Sequence, residues 1–255
     1  MNVKHISSAE NEYIKKIIKL KTKKYREEFG LFVAEGERSA KDAVSSGFSI
    51  ESVIMTEAFF ARHEEAFANE HIITTTESVF AKLCDTKTPQ GVLAVAYLPE
   101  ADTELTGTKY VYCDCIQDPG NAGTIIRSCD AFGFDGVIFS AGSVDVFSPK
   151  VIRSSMGSVF HIPVITEKDA SFLQNAKENG YFLSVTALHK DSVLLKEGHF
   201  QPKQIFVIGN EGNGVSETVL SMADETVHIP MAGNAESLNA GVAASVLMYE
   251  VSCHV

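Results

Sequence analysis

The sequence predicts an α/β protein with a small N-terminal domain at 1–103 and a larger C-terminal domain at 107–255. Three observations support this fold class. Short β-branched and aromatic runs alternate with helical segments along the chain of 255 residues, which is typical of a mainly parallel sheet. An acidic stretch without periodicity at 99–107 interrupts the alternation and marks a domain boundary. A hydrophobic content of 45% allows the chain to bury a large core.

The N-terminal domain is predicted from a series of short elements. Ser7 and Glu10 have the spacing of a capping box, so they predict a helix that runs through Leu20. Hydrophobic runs and glycine stops then predict strands at 31–34, 50–55, 71–74 and 91–97, and helices at 36–46, 58–67 and 77–83.

The C-terminal domain shows a longer alternation of the same kind. Strands are predicted at 110–115, 136–139, 162–164, 181–186, 205–208 and 227–229, and helices at 122–132, 149–156, 169–179 and 237–250. Regular alternation of strands and helices favours a mainly parallel sheet with helices on both faces.

Basic residues are concentrated at the N-terminus of an otherwise acidic chain. The formal net charge is −11, yet the first 26 residues hold eight basic residues against two acidic ones. This pattern suits a phosphate-rich partner, because phosphate contacts supply most of the non-specific affinity for nucleic acids. A solvated helix face is the alternative interpretation. The residues predicted to contact RNA are Lys15, Lys16, Lys19, Lys21, Lys23, Lys24 and Arg26.

Composition argues against a membrane protein and against a metal centre. No apolar run approaches the length of about 18 residues that a membrane span needs, and the N-terminus lacks the apolar core of a signal peptide. The five cysteines form no C-x-x-C pair with histidines at zinc spacing. We therefore expect a cytoplasmic protein without a membrane span or a bound metal.

The stretch 204–250 has the pattern of a ligand-binding crevice. A predicted strand at 205–208 ends at Gly209, and Gly212 and Gly214 follow, so main-chain groups of this turn can approach a ligand closely. A second short strand stops at Pro230, and Ser237 or Asn239 then caps a helix. Two strand ends are therefore expected to face one crevice.

A further polar motif follows the first strand of the C-terminal domain. Asn121 is expected to cap the next helix, and Arg127 lies six residues later. From this segment alone, Arg127 could be a surface residue, a phosphate clamp or a catalytic group.

Three segments together resemble a known family. They are N-x-G-x-I-x-R-x-x-x-A-F-G at 121–133, G-N-E-G-x-G at 209–214, and I-P-M followed by E-S-L-N-x-x-x-A within 229–243. Their order and spacing resemble the three motifs of the SpoU/TrmH branch of the SPOUT RNA methyltransferases. Residues 1–100, which include FVAEGERSAKDAV at 32–44, resemble the N-terminal substrate-binding domain of that family.

The resemblance implies a fold and an activity. It implies an N-terminal RNA-binding domain and a C-terminal SPOUT domain with a trefoil knot. It also implies transfer of a methyl group from S-adenosylmethionine to a ribose 2′-hydroxyl, with 23S rRNA as the expected substrate and no metal. Family members are usually homodimers through the C-terminal domain, in which the motif-1 arginine is thought to reach the cofactor of the neighbouring subunit.

The resemblance also implies roles for particular residues. The catalytic set is Asn121, Arg127, Glu211, Ser237 and Asn239, and Arg127 is also expected to contact RNA. The set that binds S-adenosylmethionine is Thr186, Ala187, Gly209, Asn210, Glu211, Gly212, Ile229, Met231, Ser237, Leu238 and Asn239.

Two alternative functions stay open on the sequence. One is methylation of tRNA, and the other is a non-catalytic RNA-binding factor in ribosome assembly. A dinucleotide-binding dehydrogenase is disfavoured, because G-N-E-G-N-G lacks the G-x-G-x-x-G spacing and lies near the C-terminus.

Overall fold

The computed structural model describes residues 2–100, 104–167, 171–188 and 191–254. The chain divides into two compact units. The first unit comprises Met1–Glu100 and Phe147–Phe160, and the second unit comprises Ala101–Val146 and His161–Val255. No helix of the described residues is long and apolar enough to cross a membrane.

The first unit is built on a five-stranded mixed sheet. Its strands are β1 (Asn2–Ile6), β2 (Leu31–Glu35), β3 (Ile50–Thr56), β4 (His71–Thr75) and β5 (Val92–Tyr97). Its helices are α1 (Glu12–Lys19), α2 (Lys23–Phe29), α3 (Glu37–Ser45), α4 (Glu57–His63) and α5 (Glu77–Leu83), with a 3₁₀ turn at Glu64–Phe67. The strand order is β1-β4-β3-β5-β2, in which β1, β4 and β3 run parallel and β5 runs antiparallel to both of its neighbours.

The beginning of the chain differs from the sequence-based prediction. The capping box at Ser7 was wrong, because Asn11 is the N-cap of α1 and its Oδ1 accepts a hydrogen bond from the Tyr13 N–H at 2.9 Å. Strand β1 was missed. Helix α2 was missed as well, since the predicted helix ran only through Leu20, which is close to the end of α1.

The second unit is built on a seven-stranded sheet in which every pair of neighbours is parallel, which confirms the predicted α/β class. Its strands are β6 (Lys109–Cys113), β7 (Gly136–Phe139), β8 (Val164–Thr166), β9 (Phe182–Thr186), β10 (Val193–Leu194), β11 (Gln204–Ile208) and β12 (Glu225–His228), in the order β10-β12-β9-β11-β6-β7-β8. The helices in this part of the sequence are α6 (Pro119–Ala131), α7 (Pro149–Ser155), α8 (Ser171–Glu178), α9 (Glu217–Leu220) and α10 (Ala240–Ser252). The short elements β10 and α9 were not predicted.

Strand β11 occupies the centre of this sheet, between β9 and β6, and all of its residues are buried. Ile208 is in register with Cys113 on one side, and Val207 is in register with Val185 on the other. Because the strands are parallel, their carboxyl ends lie at one edge of the sheet. The segments that follow β6, β9, β11 and β12 are therefore brought together.

Helices α6 and α10 pack side by side in the same direction. The Oγ atoms of Ser128 and Ser245 are 2.7 Å apart, and one turn later the rings of Phe132 and Tyr249 pack edge to face with centroids 5.9 Å apart. A Cβ at Gly241 would lie 3.1 Å from the Thr124 side chain, so glycine permits this close approach.

Residues 147–160, which contain α7, pack within the first unit. The rings of Phe147 and Phe160 lie 4.9 and 6.2 Å from that of Phe32, measured between centroids. The Nη2 atom of Arg153 pairs with the Asp85 carboxylate at 2.7 Å. The sequence assigns this segment to the C-terminal domain, and the domain limits 1–103 and 107–255 stay a prediction.

Candidate active site

The glycine turn (209–214) that follows β11 is fixed by its backbone. Asn210 and Gly214 exchange two main-chain hydrogen bonds of 2.9 and 3.0 Å. Gly209 lies directly against the returning chain, because a Cβ at this position would be 2.3 Å from both the Gly214 carbonyl carbon and the Val215 nitrogen. Gly214 adopts φ of 71°, which glycine tolerates without strain. The turn therefore requires glycine at both ends.

Side chains tie the glycine turn to the end of β6. The Oδ1 atom of Asn210 accepts hydrogen bonds from the Gly212 and Asn213 N–H groups at 2.9 and 3.1 Å. Its Nδ2 donates to the Cys115 carbonyl at 2.7 Å. Just beyond the turn, the Ser216 N–H donates to the buried Asp114 carboxylate at 2.7 Å. These bonds hold the ends of two neighbouring strands in register.

Glu211 extends this connection to the start of α6. Its carboxylate accepts a hydrogen bond from Asn121 Nδ2 at 2.7 Å, and others from the Asp118 and Gln117 N–H groups at 3.3 and 3.4 Å. Partial burial acts to raise the pKa of Glu211, but the Asn121 amide and the backbone donors outweigh burial and hold the pKa below its ordinary value. Glu211 is therefore a stable anion that orients its neighbours. For the same reason it is a weak proton acceptor.

The start of α6 corrects one expectation. Asp118 is the N-cap, and its Oδ1 accepts a hydrogen bond from the Asn121 N–H at 2.9 Å. Asn121 therefore lies inside the first turn, where it is buried and directs its amide to Glu211. The sequence-based prediction placed the helix cap three residues too late. The side chain of Asn121 bonds instead to Glu211 in the glycine turn.

A cavity of about 430 Å³ opens beside the glycine turn. Of the residues predicted to bind the cofactor, those that line it are Thr186, Ala187, Gly209, Asn210, Glu211, Gly212, Ile229, Met231, Ser237 and Leu238. Asn239 does not line the cavity, but it is the N-cap of α10, and its Oδ1 accepts a hydrogen bond from the Val242 N–H at 3.2 Å. The sequence had left the choice of this cap between Ser237 and Asn239.

The lining suits a nucleoside that carries a positive charge. Aliphatic side chains such as Ile208 and Val227 provide apolar walls, the loops after β11 and β12 present main-chain polar groups, and Glu211 and Glu236 are the acids among the lining residues. This volume and mixture are typical of small-molecule sites. S-adenosylmethionine combines an adenosine with a cationic sulfonium, so the chain's own donors and acceptors fit it.

The predicted cofactor set omits several residues that line the cavity. The additional lining residues are Leu188, Ile208, Asn213, Gly214, Val215, Val227, His228, Glu236, Ala240 and Ala243. His228 is the polar one from β12, and its Nδ1 lies 3.0 Å from the Ser192 Oγ. Its position at the carboxyl end of a strand was the available signal.

Arg127 lies apart from the cavity of its own chain. It is exposed on α6, and it makes no hydrogen bond or ion pair with the residues described. Arg127 follows Asn121 by six residues, about 1.7 helical turns, so the two side chains point to different sides of α6. Among the described residues there is no cluster of His, Cys, Asp or Glu that could hold a metal ion.

The predicted RNA-binding residues lie on α1 and α2, with Lys21 between them, and one of them needs correction. Arg26 is 4% exposed and donates from Nη1 to the Leu20 carbonyl at 2.6 Å, so it stabilises the turn after α1 and is not placed to contact RNA. Lys21 is exposed and donates to the Cys84 carbonyl at 2.5 Å. Lys15 pairs with Glu10 at 3.0 Å, and Lys23 lies 3.8 Å from Glu27.

A parallel sheet with a glycine turn, an orienting glutamate and a capped helix around one cavity is the arrangement that the three motifs predict for a SPOUT-type methyltransferase. Residues 108–249 match the SpoU rRNA Methylase family, and residues 11–94 match the MRM3-like substrate binding domain. The chain belongs to the SpoU rRNA methylase family.

Individual relatives are similar over most of their length. The 23S rRNA (guanosine(2553)-2′-O)-methyltransferase RlmP of Bacillus subtilis is 36% identical over 250 residues, which cover 98% of this chain and 99% of the relative. The 23S rRNA (uridine(2479)-2′-O)-methyltransferase of Streptomyces viridochromogenes is 31% identical over 87% of this chain and 82% of the relative. The crystal structure of an AdoMet-bound rRNA methyltransferase from Sinorhizobium meliloti superimposes with a TM-score of 0.89 at 29% identity, covering 99% and 98% of the two chains.

The close approach at Gly209 makes a testable prediction. Gly209→Ala should weaken S-adenosylmethionine binding by at least about fivefold, because relieving an overlap with backbone atoms costs about 1–3 kcal/mol. Isothermal titration calorimetry measures this affinity. Gly233→Ala is the control, since a Cβ there would meet no atom within 4 Å and Gly233 does not line the cavity, so the affinity should be unchanged. Parental affinity in the Gly209 variant would show that the turn is not rigid.

The lowered pKa of Glu211 predicts how stability depends on pH. Glu211→Gln should lower the free energy of unfolding by about 1 kcal/mol at neutral pH, because the amide cannot accept all of these hydrogen bonds. A carboxylate with a lowered pKa stabilises the fold fully above its ordinary value of 4.5, and this contribution is lost as pH falls through the lowered pKa. The difference between parent and variant, measured by urea unfolding, should therefore shrink below that pH. Glu236→Gln is the control, and an equal pH dependence in both variants would contradict the assignment.

Proposed function

We propose that this protein transfers a methyl group from S-adenosylmethionine to a ribose 2′-hydroxyl of 23S rRNA. The observation that carries the proposal is the cavity beside the glycine turn, whose Glu211 is joined to Asn121 of the first motif. The two 23S rRNA 2′-O-methyltransferases that match most of this chain support the same reaction and substrate. The match of residues 11–94 to a substrate binding domain favours rRNA over the tRNA alternative.

The cofactor residues divide into two groups. Ala187, Ile208 and Leu238 provide apolar surface for the adenosine, while main-chain groups of the glycine turn and of Ile229 provide hydrogen bonds. Bound S-adenosylmethionine supplies the methyl group as a sulfonium, which a hydroxyl can attack without a metal. The chain then has to align the ribose with this methyl and assist the loss of the hydroxyl proton.

The polar residues have separate tasks in this proposal. Glu211 stays ionised and holds Asn121 and the start of α6 in place. Arg127 contacts the phosphate beside the target ribose, and its positive charge assists removal of the 2′-hydroxyl proton to solvent by stabilising the alkoxide that develops. Ser237 provides a polar group in the lining of the cavity, and Asn239 holds the start of α10 in place as its N-cap.

The position of Arg127 supports a dimer with shared active sites. Arg127 does not line the cavity of its own chain, so a second copy is needed to bring it to a cofactor. On α10, Val242, Val246 and Tyr249 are 46%, 38% and 58% exposed, and they follow one another along one face beside α6. Such a stripe suits a C2 interface, in which both copies use the same surface.

The proposed SPOUT fold includes a trefoil knot near the C-terminus. Helix α10 contacts the 3₁₀ turn at Leu195–Glu197, and the His254 ring stacks on Phe200 with centroids 4.9 Å apart. The end of the chain thus lies against the segment that leads into β11, which supports threading of the chain past this segment. We further assign substrate binding to 1–103, methyl transfer to 107–255 and activity to the cytoplasm.

Loss of the Arg127 side chain tests the chemistry. Arg127→Ala should lower single-turnover methyl transfer to 23S rRNA by at least about a hundredfold, the lower end of what a group that stabilises a developing oxyanion contributes. Calorimetric binding of S-adenosylmethionine should be unchanged, because Arg127 does not line the cofactor cavity and is proposed to act on the phosphate and ribose of the RNA. Transfer at the parental rate would refute the role of Arg127, and no transfer by the parent would favour a non-catalytic factor.

Mixing two inactive variants tests the shared site. In a C2 dimer of Arg127→Ala with Asn239→Ala, one site would carry both defects and the other would be intact if the two residues serve different cofactors. Co-refolding equal amounts should restore about a quarter of the parental activity, since half of the dimers are mixed and half of their sites are whole. Activity no higher than the average of the separate variants would place both residues in one subunit's site.

A further inference from the structure

Two aromatic rings lie among the lysines of α1 and α2. The rings of Tyr25 and Phe29 are stacked, with centroids 5.8 Å apart and planes inclined by 24°. The Nζ atoms of Lys19 and Lys24 lie 5.2 and 5.7 Å from the Tyr25 centroid, and that of Lys16 lies 5.5 Å from the Phe29 centroid. These distances are within the range of cation–π attraction. The five residues form an aromatic–lysine patch.

The acidic side chains near the patch pair with lysines outside it. Glu10 pairs with Lys15, and Glu27 lies near Lys23. By contrast, Lys16, Lys19 and Lys24 form no ion pair with any residue that the structure describes. The three ammonium groups around the two rings are therefore not neutralised by such ion pairs, which suits contact with the phosphates of a nucleic acid.

The two rings differ in their attachment to the core. Phe29 packs against the hydrophobic core of the first unit, where Ile14 and Leu20 are buried, so part of its ring fills space. Tyr25 is outside that cluster and is partly exposed. Its ring is thus available for contact with another molecule.

We propose that the aromatic–lysine patch binds an unpaired stretch of the substrate RNA, with one base stacked on Tyr25 and the flanking phosphates on Lys16, Lys19 and Lys24. Paired bases in an A-form helix are hidden from such a ring, whereas splayed bases of single strands stack on aromatic side chains. This inference rests on the proposed function, because it takes RNA as the substrate. It specifies a single-stranded loop or end of the RNA that carries the methylated nucleotide.

Binding of two short RNAs by the full-length protein tests the proposal. The probes are a fluorescein-labelled oligouridine and a labelled, perfectly paired RNA duplex with the same number of phosphates. Tyr25→Ala should weaken oligouridine binding by about 5–100-fold, the loss expected for one stacked base, and change duplex binding by less than about twofold. Tyr25→Phe keeps the ring and should restore oligouridine binding. Fluorescence anisotropy at constant salt measures both affinities.

Two control variants separate stacking from charge. Tyr97→Ala removes a tyrosine of the same unit that is 47% exposed and lies over no lysine described here, so it should leave both affinities unchanged. Lys19→Gln should weaken the binding of both RNAs. For the single strand, it should also reduce the slope of log affinity against log salt concentration by roughly 0.7. Unchanged thermal unfolding of Tyr25→Ala and Tyr25→Phe confirms that the fold is intact.

Two results would overturn the proposal. In the first, Tyr25→Ala weakens the binding of oligouridine and of the duplex by the same factor. In the second, Tyr25→Ala binds both RNAs with the parental affinity. Failure of the proposed function has a different signature, since the parent would then transfer no methyl group to 23S rRNA even if it bound both probes.

Discussion

The close contact between Gly209 and the returning chain at Gly214 and Val215 is the constraint on which the candidate site depends. It folds the segment after β11 into a turn that brings the Glu211 carboxylate to the start of α6. Because β11 lies at the centre of a parallel sheet, this turn meets the ends of β6, β9 and β12 at one edge. The cavity and the hydrogen bonds to α6 both follow from that meeting.

Electrostatics then separates the tasks of the charged residues. Glu211 is surrounded by N–H donors that favour its ionised form, so it organises the first motif and is poorly suited to accept a proton. Arg127, by contrast, is exposed and makes no ion pair with the described residues. The dimer that we propose would bring the two residues together, and the exposed apolar stripe on α10 lies beside the helix that carries Arg127.

The sequence predicted the parallel sheet and the convergence of the motifs, because strand-length hydrophobic runs and glycine stops are local signals. It missed β1, since its five residues form a strand only through pairing with β4, nearly 70 positions away. It assigned Arg26 to RNA, because only the folded chain shows that Leu20 and its neighbours bury the guanidinium. The packing of residues 147–160 in the first unit depends on Phe147 and Phe160 meeting Phe32, which no local pattern encodes.

The central claim is that this protein methylates a ribose 2′-hydroxyl in 23S rRNA. It is tested most directly by mapping 2′-O-methylated nucleotides in the rRNA of cells that contain the protein and of cells that lack it. A 2′-O-methyl group resists alkaline cleavage at its own nucleotide, so its position can be read along the whole RNA. The account predicts that one 23S rRNA nucleotide loses its methyl group when the protein is absent and regains it when the protein is restored. The account would be contradicted if the rRNA maps of the two kinds of cell were identical and a ribose methyl group were missing from tRNA instead.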